Sequence, residues 1–154
     1  VSLTAMLTGC ASAPPAAGMR VLRESDLVVL RALMPVVLDG AFPVDESREK
    51  VLTESLQLLD ALLEGSSGAG QQQVRQLFDL MTFAPTRRLV AGLAQDWAHA
   101  SPTEINDFLN AWRNSRIGLL RAGYLALTQM LTMNWYMQPR SWAAIHYVPP
   151  QVVG

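Results

Sequence analysis

Apolar residues recur every three or four positions through most of the chain, the spacing of one helical face. The stripes that show this pattern cover residues 27–37, 52–63, 74–81, 89–97 and 105–135. No segment alternates apolar and polar residues over a strand's length, so no β-sheet is predicted. We therefore predict an all-α protein, a small single-domain helical bundle.

Local signals set the boundaries of the predicted helices. Ser25, Asp45 and Thr86 are predicted to begin the first, second and fourth helices, and Gly65 to end the second. Residues 65–70 read Gly-Ser-Ser-Gly-Ala-Gly, which predicts a flexible turn. Helix starts and stops in this chain are thus marked mainly by small polar residues and glycine.

The clearest helix start lies at Ser101, where Pro102 takes the first helical position and Glu104 stands three residues after the cap. A continuous helix from 102 to 137 would be roughly 54 Å long, at 1.5 Å per residue. Because that length is large for a small domain, we expect a break near Asn114. Pro139 is predicted to end the last long helix.

The composition provides a large core and little polar surface. Half of the residues are hydrophobic and only 16% are charged, against about a quarter in ordinary soluble domains. The net charge of −1 argues against nucleic acid as a partner. Residues 109–154 hold four arginines and no acid. This asymmetry indicates either a basic face for a partner or chance combined with the preference of helix C-termini for cations.

Residues with catalytic or metal-binding chemistry are sparse. Cys10 is the only cysteine, so the chain itself cannot form an internal disulfide or a cysteine cluster. His99 and His146 have no metal-ligand partner at helical spacing, and no nucleophile, phosphate-loop or dinucleotide motif occurs. We expect no active site and no cofactor bound by this chain. The apolar run 117–137 is interpreted as a core helix rather than a membrane span.

The N-terminus resembles the signal of a bacterial lipoprotein. The sequence Leu7-Thr8-Gly9-Cys10 ends an apolar run and is followed by a Pro- and Ala-rich stretch. In a lipobox the signal peptide is cut before the cysteine, whose thiol receives a diacylglycerol. This divides the chain into the end of a signal peptide (1–9), a disordered lipidated tether (10–18) and a helical domain (19–154). The alternative is a disordered N-terminus with an incidentally buried cysteine.

Aromatic residues are concentrated at the other end of the chain, where 134–150 holds two of the four Trp and two of the three Tyr. Such side chains suit an interface, although they can also cover the core. An extended, proline-containing tail is predicted from Val148 onward. The candidate partner-binding residues are Trp135, Tyr136, Trp142, Tyr147, Arg116 and Arg140.

The C-terminal segment contains a recognisable set of residues: Tyr136, Pro139, Ser141, Trp142, Tyr147 and Pro150, with Trp112 and Arg116 upstream. In these residues the chain is similar to the gluconate 2-dehydrogenase subunit 3-like family, the small subunits of periplasmic flavin-dependent sugar and alcohol dehydrogenases. The resemblance covers about 40 residues.

The resemblance implies a non-catalytic subunit that binds a large flavoprotein and helps it to mature. The complex would be exported by the twin-arginine pathway, with FAD held by the partner and a cytochrome c subunit as a further candidate member. The expected location is the bacterial periplasm, with the protein anchored to a membrane by the lipid on Cys10. The alternative is a stand-alone envelope lipoprotein with a scaffold role.

The lipobox resemblance predicts that the mature protein begins at Cys10 and carries acyl groups there. Intact-mass analysis of the protein from membranes measures both features directly. Cys10→Ser should leave residues 1–9 attached to the protein, and no acyl group should be added. An unmodified Cys10 with residues 1–9 still attached would contradict the prediction that Cys10 is lipidated.

Overall fold

The computed structural model describes residues 13–83 and 96–144, which form helices and connecting turns without any strand. This confirms the predicted all-α class. The helices of the described residues are α1 (Glu24–Val37), α2 (Arg48–Glu64), α3 (Gly68–Thr82), α4 (Pro102–Arg113), α5 (Gly118–Tyr136) and α6 (Pro139–Ala144). Cys10, the helix start predicted at Thr86, His146, Tyr147 and the tail from Val148 lie outside the described residues.

Helix α1 is the centre of the bundle, because it packs against α2, α3, α4 and α5. Val29, Leu30, Leu33 and Met34 on this helix are fully buried. These residues lie on one face of the helix, as a spacing of three to four residues requires, and the neighbouring helices cover that face. The core therefore surrounds α1, with the other long helices arranged around it.

A row of aromatic rings fills the core beside α4. Phe108 lies edge-on to Trp97 at 4.8 Å between ring centroids and stacks on Trp112 at 5.0 Å. The Trp97 indole N–H donates to the carbonyl of Met81 at 3.0 Å, which satisfies its polar group inside the core. Helix α5 approaches this row closely, since a Cβ at Gly123 would lie 3.0 Å from the Trp112 ring. Glycine at that position permits the tight contact between α4 and α5.

Several predicted boundaries are confirmed. The Ser101 hydroxyl accepts the Glu104 backbone N–H at 3.2 Å, as expected of a helix cap. The long helical pattern breaks after Arg113, close to the expected position at Asn114. Gly65 is the C-cap of α2.

The helix starts predicted in the first half of the chain differ from those in the structure. Helix α1 begins at Glu24 instead of after Ser25, because the Asp26 carboxylate reaches back to the Arg23 backbone N–H at 2.9 Å. Helix α2 begins at Arg48, three residues after Asp45. Helix α3 begins inside the predicted flexible turn, because the Ser67 hydroxyl accepts the N–H of Gly70 at 3.1 Å and so caps a glycine-rich first turn.

Residues before the first helix fold onto the bundle. Ala16 is buried, and its N–H donates to the Leu22 carbonyl at 2.8 Å. Gly18 has φ +78°, a left-handed conformation that favours glycine and turns the chain back. The folded part therefore includes the end of the predicted tether and begins at about Ala16 instead of Met19.

The buried Asp60 carboxylate fixes this N-terminal segment to α2. It accepts the backbone N–H groups of Arg20, Val21 and Leu22 at 2.8 to 2.9 Å. Leu22, only 1% exposed, enters the core beside it. We call residues 20–22 the N-terminal strap.

Arg23 continues the attachment from the strap to the helices on either side. Its guanidinium bonds to Asp26 on α1 and forms an ion pair with Asp79 on α3 at 2.8 Å. The hydrogen bond with Asp26, with further support from Asp79, raises the pKa of Arg23 above its ordinary value. The strap and Arg23 together connect the first three helices.

Replacing Asp60 with Asn should lower the free energy of unfolding by about 2–3 kcal/mol, because hydrogen bonds to a buried charged acceptor are lost or weakened. Urea denaturation monitored by circular dichroism measures this. Glu64→Gln is the matched control on the same helix, since the exposed Glu64 side chain bonds only to the Arg20 side chain among the described residues. The control should change stability by less than about 0.5 kcal/mol. Equal effects of the two variants would contradict the role given to Asp60.

Candidate interaction surface

Helix α5 is apolar on the side that faces away from the bundle. Its inner face buries Leu120, Leu127 and Leu131 in the core. The large apolar side chains exposed on the other side or at its C-terminal end are Leu119, Leu125, Met133, Tyr136 and Met137, which are 42–68% exposed. The segment interpreted as a core helix therefore carries apolar side chains on both its inner and its outer side, and only the inner side belongs to the core.

This outer surface is nearly free of charge. Between the large side chains lie Ala122, Ala126 and Gln129, and Arg121 is the single charged residue of α5. We call the exposed set 122, 125, 126, 129, 133, 136 and 137 the α5 face. It extends along roughly 22 Å of the helix, at 1.5 Å per residue. Scattered exposed apolar residues are ordinary, whereas large exposed apolar side chains along one side of a helix make this face a candidate interaction surface.

The C-terminal end of the α5 face is held by α6. The Trp142 indole N–H donates to the carbonyl of Tyr136 at 2.9 Å, which satisfies a free carbonyl at the end of α5. The Ser141 hydroxyl donates to the Gln138 carbonyl at 2.7 Å. The structure thus brings the predicted interface residues Tyr136 and Trp142 together, with Tyr136 exposed and Trp142 half-buried.

A buried polar cluster fixes the same end of α5 to α2. The Asn134 side-chain amide donates to the Ser55 carbonyl at 3.0 Å, and the Gln138 amide donates to the Ser55 hydroxyl at 3.0 Å. The side-chain oxygen of Asn134 has no hydrogen-bond partner among the described residues. Because buried amides tolerate few alternative arrangements, this cluster fixes the position of α5 on α2.

Trp135 lies in the core and does not belong to the α5 face. Its side chain is 4% exposed and packs against Phe42 at 5.4 Å between ring centroids. Trp135 also lines an open pocket of about 490 Å³ together with Arg140. Arg140 forms an ion pair there with Glu54 of α2. These two predicted interface residues are therefore neighbours, but they are beside the face and not on it.

Arg116 lies at the opposite end of α5 from the other predicted residues. Ile117 and Trp135 are separated by 18 residues, roughly 27 Å along the helix axis. The six predicted residues therefore do not form one compact patch. Tyr147 lies outside the described residues.

The residues that sequence reasoning missed are Leu125, Met133 and Met137. The signal that could have found them is the surplus of apolar residues in α5: a stripe at positions 117, 120, 124, 127, 131 and 135 already accounts for a core face. The further large apolar residues must then lie elsewhere on the helix. A helix that is apolar all round is covered on all sides.

Other candidate sites give little functional chemistry. His99 is exposed and lies 2.6 Å from Asp96, and the described residues contain no group of three metal-ligating side chains. A pocket of about 600 Å³ between α1 and the start of α4 is largely apolar, and Arg31 at its edge is paired with Glu49. None of the helices in 13–83 and 96–144 has the length and apolar character of a membrane span.

Comparison with protein-family models, curated proteins and solved structures finds no match to this chain. The resemblance to the dehydrogenase small subunits therefore depends on the motif residues themselves. Among these, the structure places Tyr136, Pro139, Ser141 and Trp142 at the junction of α5 and α6.

The bond from Trp142 predicts separate contributions from its N–H and from its ring. Trp142→Phe should lower the free energy of unfolding by about 1 kcal/mol, through loss of the hydrogen bond to Tyr136. Trp142→Ala should cost about 2–3 kcal/mol, because the half-buried ring is lost as well. Thermal and urea unfolding of the isolated protein measure both. Tyr136→Phe is the control, and a Trp142→Phe variant as stable as the wild type would contradict the capping role.

Proposed function

We propose that this protein is a non-catalytic subunit that binds a larger protein through the α5 face. The observation that carries the proposal is an exposed apolar surface along α5, on a chain that has few charged residues. A partner that covers this face would remove its apolar side chains from water, which is the main driving force for protein association. In this proposal the other helices hold α5 in position, so that the α5 face is available to the partner.

The composition and support of the α5 face suit a binding surface. Methionine and aromatic residues such as Met133 and Tyr136 are enriched at the centres of interfaces, and acidic residues are depleted there. The polar cluster around Ser55 holds one end of the helix, so little conformational freedom is lost when a partner binds. Tyr136 and Met137 stand directly above this fixed end and are the best candidates for anchor residues.

The resemblance at the α5–α6 junction supports a particular class of partner, the large FAD-dependent dehydrogenase of the cell envelope. In this proposal FAD and the substrate site belong to the partner, and a cytochrome c subunit is a further candidate member of the complex. The small subunit assists maturation and twin-arginine export of the partner. A lipid on Cys10 then holds the complex to the membrane on the periplasmic side.

A double variant of the α5 face tests this proposal. Leu125→Lys with Met133→Lys should weaken partner binding at least about 100-fold, because each exposed apolar anchor contributes about 1.5–3 kcal/mol and 1.4 kcal/mol is tenfold. Both side chains are more than half exposed, so the stability of the isolated subunit should change by less than about 1 kcal/mol. The measurements are co-purification from native envelopes, identification of the bound protein and its flavin absorbance.

The matched control is Val44→Lys, since Val44 is a fully exposed aliphatic residue outside α5. It should leave binding unchanged. A flavoprotein that co-purifies equally with the double variant would contradict the role of the α5 face. A partner without flavin, or self-association through the face, would instead favour a stand-alone envelope lipoprotein with a scaffold role.

A further inference from the structure

The turn between α4 and α5 combines exposed aliphatic residues with arginines. Ile117 is 54% exposed and Leu119 is 68% exposed. Arg113, Arg116 and Arg121 are exposed around them. We call residues 113–121 the α4–α5 tip.

The arginines of the tip form no ion pair with any residue that the structure describes. Among the described residues, which include all 13 acidic side chains of the sequence, none lies within 4 Å of a tip arginine nitrogen. The sequence contains no acid after Asp107. The three arginines thus create a local positive field that an anionic surface would complement.

Hydrogen bonds hold the tip in one conformation. The Arg121 guanidinium donates to the Ser115 carbonyl at 2.6 Å, and the Ser115 hydroxyl accepts the Ile117 N–H at 3.1 Å. The Asn114 side-chain amide donates to the Asn110 carbonyl at 2.9 Å and so closes the end of α4. These bonds keep Ile117 and Leu119 at the surface on a rigid turn, although both are aliphatic.

We infer that the α4–α5 tip binds a membrane surface that contains anionic phospholipid. Ile117 and Leu119 enter the boundary between headgroups and acyl chains, while the arginines contact lipid phosphates. Long arginine side chains suit this position, because their stems lie along apolar groups while the charged ends stay at the polar surface. The inference deepens the proposed membrane attachment and rests on it for delivery of the protein to a membrane.

The residues of the tip favour a membrane over an acidic protein as its partner. Anchors at protein interfaces are mostly aromatic side chains that fill pockets. The tip has no aromatic residue, and it presents two aliphatic side chains on a turn between helices. Aliphatic residues flanked by cations are the pattern of a shallow membrane contact, in which each basic residue near an anionic surface adds to the attraction.

Such a contact would add orientation to the attachment at Cys10. A lipid on Cys10 alone would limit the distance of the domain from the membrane but would leave its rotation free. A second contact at the tip would turn the N-terminal end of α5 toward the membrane, so its C-terminal end would point away. The partner bound to the α5 face would then be held in a defined orientation.

The test uses residues 10–154, the predicted mature chain, with Cys10→Ser, so that neither a lipid on the protein nor the apolar residues 1–9 contribute. Sedimentation with vesicles measures its partition coefficient on phosphatidylglycerol mixed with phosphatidylcholine and on phosphatidylcholine alone. Binding is expected only to the anionic mixture, and it should weaken as salt is raised because surface charges are screened. Arg113→Gln with Arg116→Gln should lower the partition coefficient by roughly 10- to 30-fold.

Ile117→Ser with Leu119→Ser should lower the partition coefficient on the anionic vesicles by at least about 10-fold, because the apolar contact is lost while every charge remains. The matched control is Val44→Ser with Arg48→Gln, an exposed aliphatic residue and an exposed arginine elsewhere on the domain. The control should bind within about 2-fold of the wild type, as expected of surface changes outside the site.

Three results would overturn the inference: no binding to anionic vesicles, equal binding to both vesicle types, or no effect of the tip variants. Loss of the co-purifying protein in the tip variants, with vesicle binding unchanged, would also overturn it and assign the tip to an acidic protein partner. Because the vesicle assay needs neither the lipid on Cys10 nor the dehydrogenase, its failure is distinguishable from failure of the proposed function.

Discussion

The Asp60 carboxylate accepts three consecutive backbone N–H groups inside the protein, and the first half of the fold depends on that interaction. Without it, the amides of residues 20–22 would be left against α2 with a poor acceptor or none, a costly arrangement for buried polar groups. With it, Leu22 enters the core and Arg23 is placed between α1 and α3. One side chain on α2 therefore determines how the chain enters the bundle.

The second half of the fold depends on close packing at Gly123. Because that position has no side chain, α5 lies directly against Trp112 of α4, and both helices can bury their apolar stripes around α1. This arrangement uses only the inner side of α5. The apolar outer side follows from a surplus of apolar residues in α5, and it is the feature on which the proposed function rests.

The sequence predicts best where the cause is local. The cap at Ser101 and the break after Arg113 depend on neighbouring residues, and both were predictable. The start of α1 was not, because an acidic side chain three residues into the helix bonds back to the chain and competes with the expected cap at Ser25. Periodicity also identified the inner stripe of α5. It also placed Trp135 on that stripe, but the concentration of aromatic residues made Trp135 a partner-binding candidate, and only its packing against Phe42 in the folded bundle decides between the two.

The N-terminal strap has a mechanical consequence if the protein is tethered at its N-terminus. A pull on the tether would enter the domain at the strap and pass through the Asp60 hydrogen bonds into the last part of α2. Helix α5 is bonded to α2 near Ser55, more than one turn away from that point. A load that ends on a partner bound to α5 would have to cross from α2 to α5, and the bonds of Asn134 and Gln138 to Ser55 are one such crossing.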